Sequence, residues 1–513
     1  DMLLIDEIRI TGETQAPLPP LAISPNVAEL APGQKATVTI TVPTELLAIK
    51  AATLSFQSAN TNILRVVGAN EQGVLSLEFA QGGLNVKTVE VEAVGRGSTR
   101  LDVVESAGLE VVNDLSVNVV TSFVRNSSFE SSAAPGGVGY GTILGWTTPP
   151  GGVGLNRAAG PFHDNGLIPD REQVAFIQNT GVISQQILGL TAGENYVLQF
   201  YYNARNCCGG TINLEVRFDG TVLTNLPQVL PVGEQMPYNF QELPIAPASS
   251  SGLLEFAASA EGDATLLLDA ISIVQRDPGA IRIINPSFEA TGSPASVGYV
   301  QPNAIAGWEA SGSGRGINVN GAGPFTDNGL ASDQDRVVFL QGPTALSQYL
   351  EGFEPGQEYT LIFDVNGRSC CGPEPTAYRV SFNDIPVIEE EITPVGGANP
   401  YLSKHFTFSA EASEAILKFE HTTPAGDHTL LLDNIRILPG RIVEMPLLSV
   451  DRFDAATLRL AWPASAVSFL LQSSSALPGG WSAVSSPAAI EGNEIVVFET
   501  IGTGARYYRL AAP

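Results

Sequence analysis

The feature that most constrains this chain is a duplication: residues 122–278 recur as residues 279–440. Asn126-Ser-Ser-Phe129-Glu130 answers Asn285-Pro-Ser-Phe288-Glu289, Gly145-Trp146 answers Gly307-Trp308, and Ser184-Gln185 answers Ser347-Gln348. The register holds through Gly160-Pro-Phe162 and Gly323-Pro-Phe325. It continues through Asn203-Ala-Arg205-Asn-Cys207-Cys208-Gly209 and Asn366-Gly-Arg368-Ser-Cys370-Cys371-Gly372. Each copy closes on Gly-Asp, a Thr-Leu-Leu-Leu run and a second acid, Gly262-Asp263 to Asp269 and Gly426-Asp427 to Asp433. At about 160 residues each copy is a whole domain, not a solenoid unit.

Inside the copies the apolar period is two. Leu214, Val216 and Phe218 alternate with Glu215 and Arg217, and Leu417 and Phe419 with Lys418 and Glu420, which predicts strands with one solvated face. Gly, Pro and Asn clusters separate the runs as a two-sheet antiparallel sandwich requires, so each copy is expected to be a jelly-roll. With 52 glycines, 35 prolines and only 15% charged residues, long amphipathic helices are not expected. The predicted fold is all-β, a string of β-sandwiches. An immunoglobulin-like module spans 13–121, where Ala36, Val38, Ile40 and Val42 share one face. The jelly-rolls span 122–278 and 279–440, and a fibronectin type III-like module spans 441–513.

Residues 1–12 stand apart. Asp1-Met-Leu-Leu-Ile-Asp6-Glu-Ile-Arg-Ile10 copies the closing strand Leu430-Leu-Leu-Asp433-Asn-Ile-Arg-Ile437. It is expected to be an orphan strand of a preceding or neighbouring jelly-roll, available to add to a sheet of another copy. The opening lacks a signal-peptide pattern, so a processed form or a piece of a longer polypeptide is expected.

Fifty-three acidic against 26 basic residues leave a net charge of −27, a field that repels phosphate backbones and anionic lipid. Nucleic acid is excluded as a partner. No run reaches the roughly 18 apolar residues of a membrane span, so membrane insertion is not expected.

The Asn-x-Ser-Phe-Glu opening, Gly-Trp, Ser-Gln and closing Leu-Leu-Asp-x-Ile together resemble galactose-binding-like jelly-rolls, the group that holds the family 4, 9 and 22 carbohydrate-binding modules. The resemblance implies a structural calcium joining first and last strands, with Glu130 and Asp269, and Glu289 and Asp433, at the matching positions. It also directs attention to sugar binding, which needs an aromatic face and planar polar groups. Tyr140, Phe162 and Arg205, and their counterparts Tyr299, Phe325 and Arg368, are the candidates, with core packing or loop bracing as the alternative. Cys207-Cys208 and Cys370-Cys371 are expected to form vicinal disulfides in an oxidising, extracellular setting; free thiols or bridges between chains are the alternatives.

No nucleophile elbow, zinc-protease helix, P-loop or dinucleotide fingerprint occurs, and the chain is expected not to be an enzyme. Two functions fit: a non-enzymatic extracellular structural or adhesive protein of a surface layer, fibre or matrix, or the glycan-binding accessory portion of a secreted glycoside hydrolase. The first is the expectation. Its partners would be other copies of the chain, neighbouring surface subunits, or polysaccharide.

Overall fold

A computed structural model describes residues 17–131, 138–157, 166–206, 208–233, 236–291, 298–300, 304–319, 329–369, 375–397, 399–423, 427–441, 446–476 and 479–511. Residues 1–12, expected above to be an orphan strand, lie outside the described residues. The fold is all-β, with eight sheets among the described residues, in two compact units, 1–439 and 440–513.

The larger unit opens with a sandwich. One sheet orders Ala22–Ser24, Lys35–Thr41, Val86–Ala93 and Leu64–Val66. The other orders Val27–Leu30, Leu115–Val119, Gly97–Glu105, Ala52–Ser58 and Val74–Phe79. Val38, Ile40 and Val42 are fully buried as the alternation requires.

Each repeat is a two-sheet jelly-roll. In the first, one sheet runs Val138–Tyr140, Val153–Arg157, Gln173–Gln178, Thr265–Gln275, Tyr196–Ala204 and Asn239–Ile245. The facing sheet runs Gly181–Leu188, Ser251–Glu261, Thr211–Phe218 and Thr221–Leu226. The second repeat reproduces this order and adds Glu309–Ser311 beside Ala345–Glu351, where the first has only the bridge of Thr147 to Ser184. Leu214, Val216 and Phe218 are buried while Glu215 and Arg217 are half-exposed. The unbroken run Leu266-Leu267-Leu268 belongs to a central strand covered on both sides. Leu266 and Leu268 enter the main core, and Leu267 enters an outer cluster with Val174, Phe176 and Tyr238. Each such burial contributes about 1.5–3 kcal/mol.

The duplicated polar signature braces the backbone. Gln185 accepts from the Arg125 N–H (2.8 Å) and donates to the carbonyls of Arg125 and Gly145 (both 2.9 Å). Gln348 does the same for Ile284 (2.8 and 2.9 Å) and Gly307 (2.8 Å). Asn126 and Asn285 turn the chain at φ 47° and 51°, a left-handed position that Asn tolerates. The indoles of Trp146 and Trp308 are buried and donate to the carbonyls of those same two residues (3.3 and 3.2 Å).

Modules of the larger unit are tied by the same grammar. The Asn126 N–H donates to Glu29 of the first sandwich (3.2 Å), and the Asn285 N–H to Gln199 of the first jelly-roll (3.1 Å). A loop of the second jelly-roll closes the junction. Asp335 pairs with Arg96 and accepts from the N–H groups of Thr121 and Ser122. Gln334 accepts from the Phe123 N–H (2.8 Å) and donates to the Ile273 carbonyl (3.3 Å).

The smaller unit is a sandwich with seven strands among its described residues. Ser449–Arg452, Thr457–Pro463, Glu494–Thr500 and Ala488–Glu491 face Ser482–Ala483, Leu470–Ser474 and Tyr507–Ala511 across Leu460, Trp462, Phe469, Ile495 and Val497.

Candidate functional site

In the first jelly-roll Gln173–Gln178, Thr265–Gln275 and Tyr196–Ala204 are neighbours, and Gln178, Thr265 and Ala204 meet at one end of the sheet. That rim gathers two of the sequence candidates. Tyr140 ends the edge strand, and its hydroxyl donates to the Gln178 side-chain oxygen (2.8 Å). The Gln178 nitrogen donates to Oδ1 of Asp263 in the preceding turn (3.1 Å), and that oxygen pairs with Arg205 (2.6 Å). Arg205 also donates to the Asp263 carbonyl (3.0 Å), and its own N–H holds the Thr265 carbonyl (2.9 Å). The arginine hydrogen bond, then that of Gln178, keeps the Asp263 carboxyl below its ordinary value.

The second jelly-roll repeats the chain of contacts. The Tyr299 hydroxyl bonds Gln341, Gln341 donates to Asp427 (2.6 Å), and Asp427 pairs with Arg368 (2.8 Å). Tyr140 and Tyr299 remain 56% and 60% exposed, so their rings are available to a ligand. They rest edge-to-face on the buried rings of Phe176 and Phe339, with centroids 5.0 and 5.3 Å apart. A Cβ at Gly154 would lie 1.9 Å from the Gly139 carbonyl oxygen, and one at Gly316 2.3 Å from that of Gly298. Glycine at those positions lets the edge strand close and bring its tyrosine over the ring.

An aromatic face beside a planar amide, a carboxylate and a guanidinium is the chemistry that recognises sugar hydroxyls. Sequence reasoning missed Gln178 and Gln341. The available signal was their identity at the same offset in both copies. Phe162 and Phe325 lie outside the described residues, as do Cys207, Cys370 and Cys371. Cys208 is disulfide-bonded.

The four carboxylates assigned to calcium by resemblance meet hydrogens. Glu130 accepts from the N–H groups of Glu172 (2.9 Å) and Gln173 (2.6 Å) and from the Gln173 amide (3.2 Å). Asp269 accepts from the N–H groups of Asp170 (2.9 Å) and Ala270 (2.7 Å). Glu289 accepts from those of Asp335 (2.7 Å) and Arg336, and Asp433 from those of Ser332 (2.8 Å), Asp333 (2.9 Å) and Asn434 (2.7 Å). Burial first, then the neighbouring carboxylates Asp170 and Asp333, drives Asp269 and Asp433 well above the usual carboxylate range. A hard cation needs oxygen lone pairs directed at it. Among the described residues no group of three or more His, Cys, Asp or Glu side chains forms a metal site. This donor set fits N–H capture of the loop that enters the third strand, rather than calcium.

No protein-family model matches the chain, and no curated protein matches it. Solved structures similar to parts of it include the tandem family 22 carbohydrate-binding modules of Xyn10C from Paenibacillus barcinonensis (15% identity, 60% of this chain and 100% of that one, TM-score 0.21). A family 61 module in complex with β-1,4-galactotriose matches at 14% identity over 30% of this chain and 99% of that one, TM-score 0.20. The K3 cleaved adhesin domain of Lys-gingipain from Porphyromonas gingivalis matches at 17% identity over 31% of this chain and 98% of that one, TM-score 0.22.

Proposed function

We propose that this chain is a non-enzymatic extracellular adhesive protein whose two jelly-rolls bind polysaccharide. The contacts are Tyr140, Gln178 and Asp263, and Tyr299, Gln341 and Asp427, with Arg205 and Arg368 bracing the two aspartates from behind. The observation that carries this reading is the duplicated contact chain that joins an exposed tyrosine to three planar polar groups. A sugar ring stacks on the tyrosine, while the amide and the half-exposed aspartate hydrogen-bond its hydroxyls and the arginine, 8% and 14% exposed in the two copies, holds the aspartate in place. No reaction is assigned to the site. Both tyrosines are more than half exposed and neither belongs to the main core of its jelly-roll, while each covers one buried phenylalanine ring of the outer cluster.

A glycan array probed with the full chain tests the reading. Selective binding is expected, and Tyr140→Ala with Tyr299→Ala should weaken it at least tenfold while a cooperative thermal transition shows that both jelly-rolls remain folded. Either no glycan bound above background, or binding indifferent to both substitutions, overturns it.

A further inference from the structure

The two jelly-rolls differ at the end of the sandwich away from these rims. Where the first has Leu190, Leu243 and Ile245, the second has Phe353, Phe406 and Phe408. In the first, the ring of Phe218 lies over Gly252, so close that a Cβ there would meet it at 2.2 Å. The second has Ala415 at that position. Its counterpart ring, Phe382, instead packs on Phe408, with centroids 4.3 Å apart. An open cavity of about 190 Å³ results, lined by Phe353, Phe382, Phe406, Phe408, Ile385 and Val387. An apolar cavity of roughly 150 Å³ accommodates benzene, so this one has room for a single six-membered ring with a short substituent.

The rim differs in the same repeat. Glu411 and Glu414 stand there, both exposed, where the first jelly-roll has Ala248 and Ser251. Glu414 accepts from the Tyr349 hydroxyl. Among the described residues no lysine or arginine lines the cavity. Aromatic walls and an acidic mouth thus occur together in one copy of the duplicated domain and are absent from the matching positions of the other, and their charge and size select the same occupant.

We propose that the second jelly-roll carries a separate binding site for a small organic cation, which inserts one aromatic ring among Phe353, Phe406 and Phe408 and sets its ammonium against Glu411 and Glu414. Ring stacking and ring-edge contacts supply the apolar part of the recognition, and the two carboxylates select the sign of the substituent. The site is independent of the glycan reading, because it shares no residue with either rim.

Calorimetric titration of the full chain with phenethylammonium, with phenylacetate as the control of opposite charge, tests the proposal. The cation should bind with one-to-one stoichiometry and at least tenfold more tightly than the anion. Phe353→Leu, Phe406→Leu and Phe408→Ile, which restore the residues of the first repeat, should abolish binding. The rim pair Glu411→Ala and Glu414→Ser lies on the surface and leaves the core untouched, and it should erase the preference for the cation. No saturable binding of phenethylammonium, equal affinity for both probes, or binding unchanged by the rim pair overturns the proposal.

Discussion

Gln348 shows how a polar side chain can hold a fold together from inside. It is 5% exposed and makes three hydrogen bonds, to both backbone groups of Ile284 and to the Gly307 carbonyl. Those groups lie beside the core, where no sheet ladder serves them. Each buried polar group left unpaired costs about 1–3 kcal/mol. Gln348→Leu should therefore destabilise the second jelly-roll more than loss of one surface contact would, and a thermal melt should register a drop of several degrees. An unchanged melt would show that water or a shifted backbone serves these groups instead. The duplication marked this glutamine, Asn285 and Trp308 as constrained but could not say by what. Tyr140 and Arg205 were legible as ligand candidates because their residue types suit sugars. Gln178, which joins them through Asp263, was not, since one glutamine at a strand end carries no pattern until three strands bring their ends together.

At the scale of elements the alternation of apolar and polar residues located the strands, because one face of most of them meets water. It could not locate the calcium-like positions, whose role depends on what a loop presents. Glu130 and Glu289 collect successive N–H groups at the start of the strands Gln173–Gln178 and Arg336–Gln341, and Asp269 and Asp433 collect those just before. These bonds fasten a loop to the opening segment and to the closing strand. A ligand bound only by the folded state raises its stability by mass action. If N–H capture is the whole of the linkage, EDTA should leave the melting temperature unchanged. A fall on chelation that added calcium reverses would restore the ion to these carboxylates.

The larger unit is the string of sandwiches that periodicity predicts, tied together by contacts that periodicity does not report. Periodicity reports which residues enter a module's own core, and the junction is made by isolated side chains with no period: Glu29, Arg96, Gln199, Gln334 and Asp335. At its centre Glu289 is buried, bonded by the Ser122 hydroxyl and by the N–H groups of Asp335 and Arg336. Burial pushes its carboxyl up to about 8, with Asp335 adding to the rise while the Arg336 guanidinium and the hydrogen bonds oppose it. Glu29, buried at the neighbouring contact, is raised by the same desolvation. A folded state that holds this proton more tightly than the unfolded chain gains stability that is complete below the ordinary glutamate value. That stability is lost as pH climbs through about 8. The melting temperature of the larger unit should therefore decline from mildly acid to mildly alkaline solution. Glu289→Gln keeps an oxygen for the two N–H groups and an amide for Ser122 but has no proton to lose, so it should make the decline shallower and raise the melting temperature at pH 8. One kcal/mol corresponds to roughly 2–4 °C in a module of 150–250 residues, well within the reach of calorimetry across a pH series. A slope identical in the variant and the parent would mean that Glu289 is already ionised in the folded junction, with Arg336 compensating its burial in full.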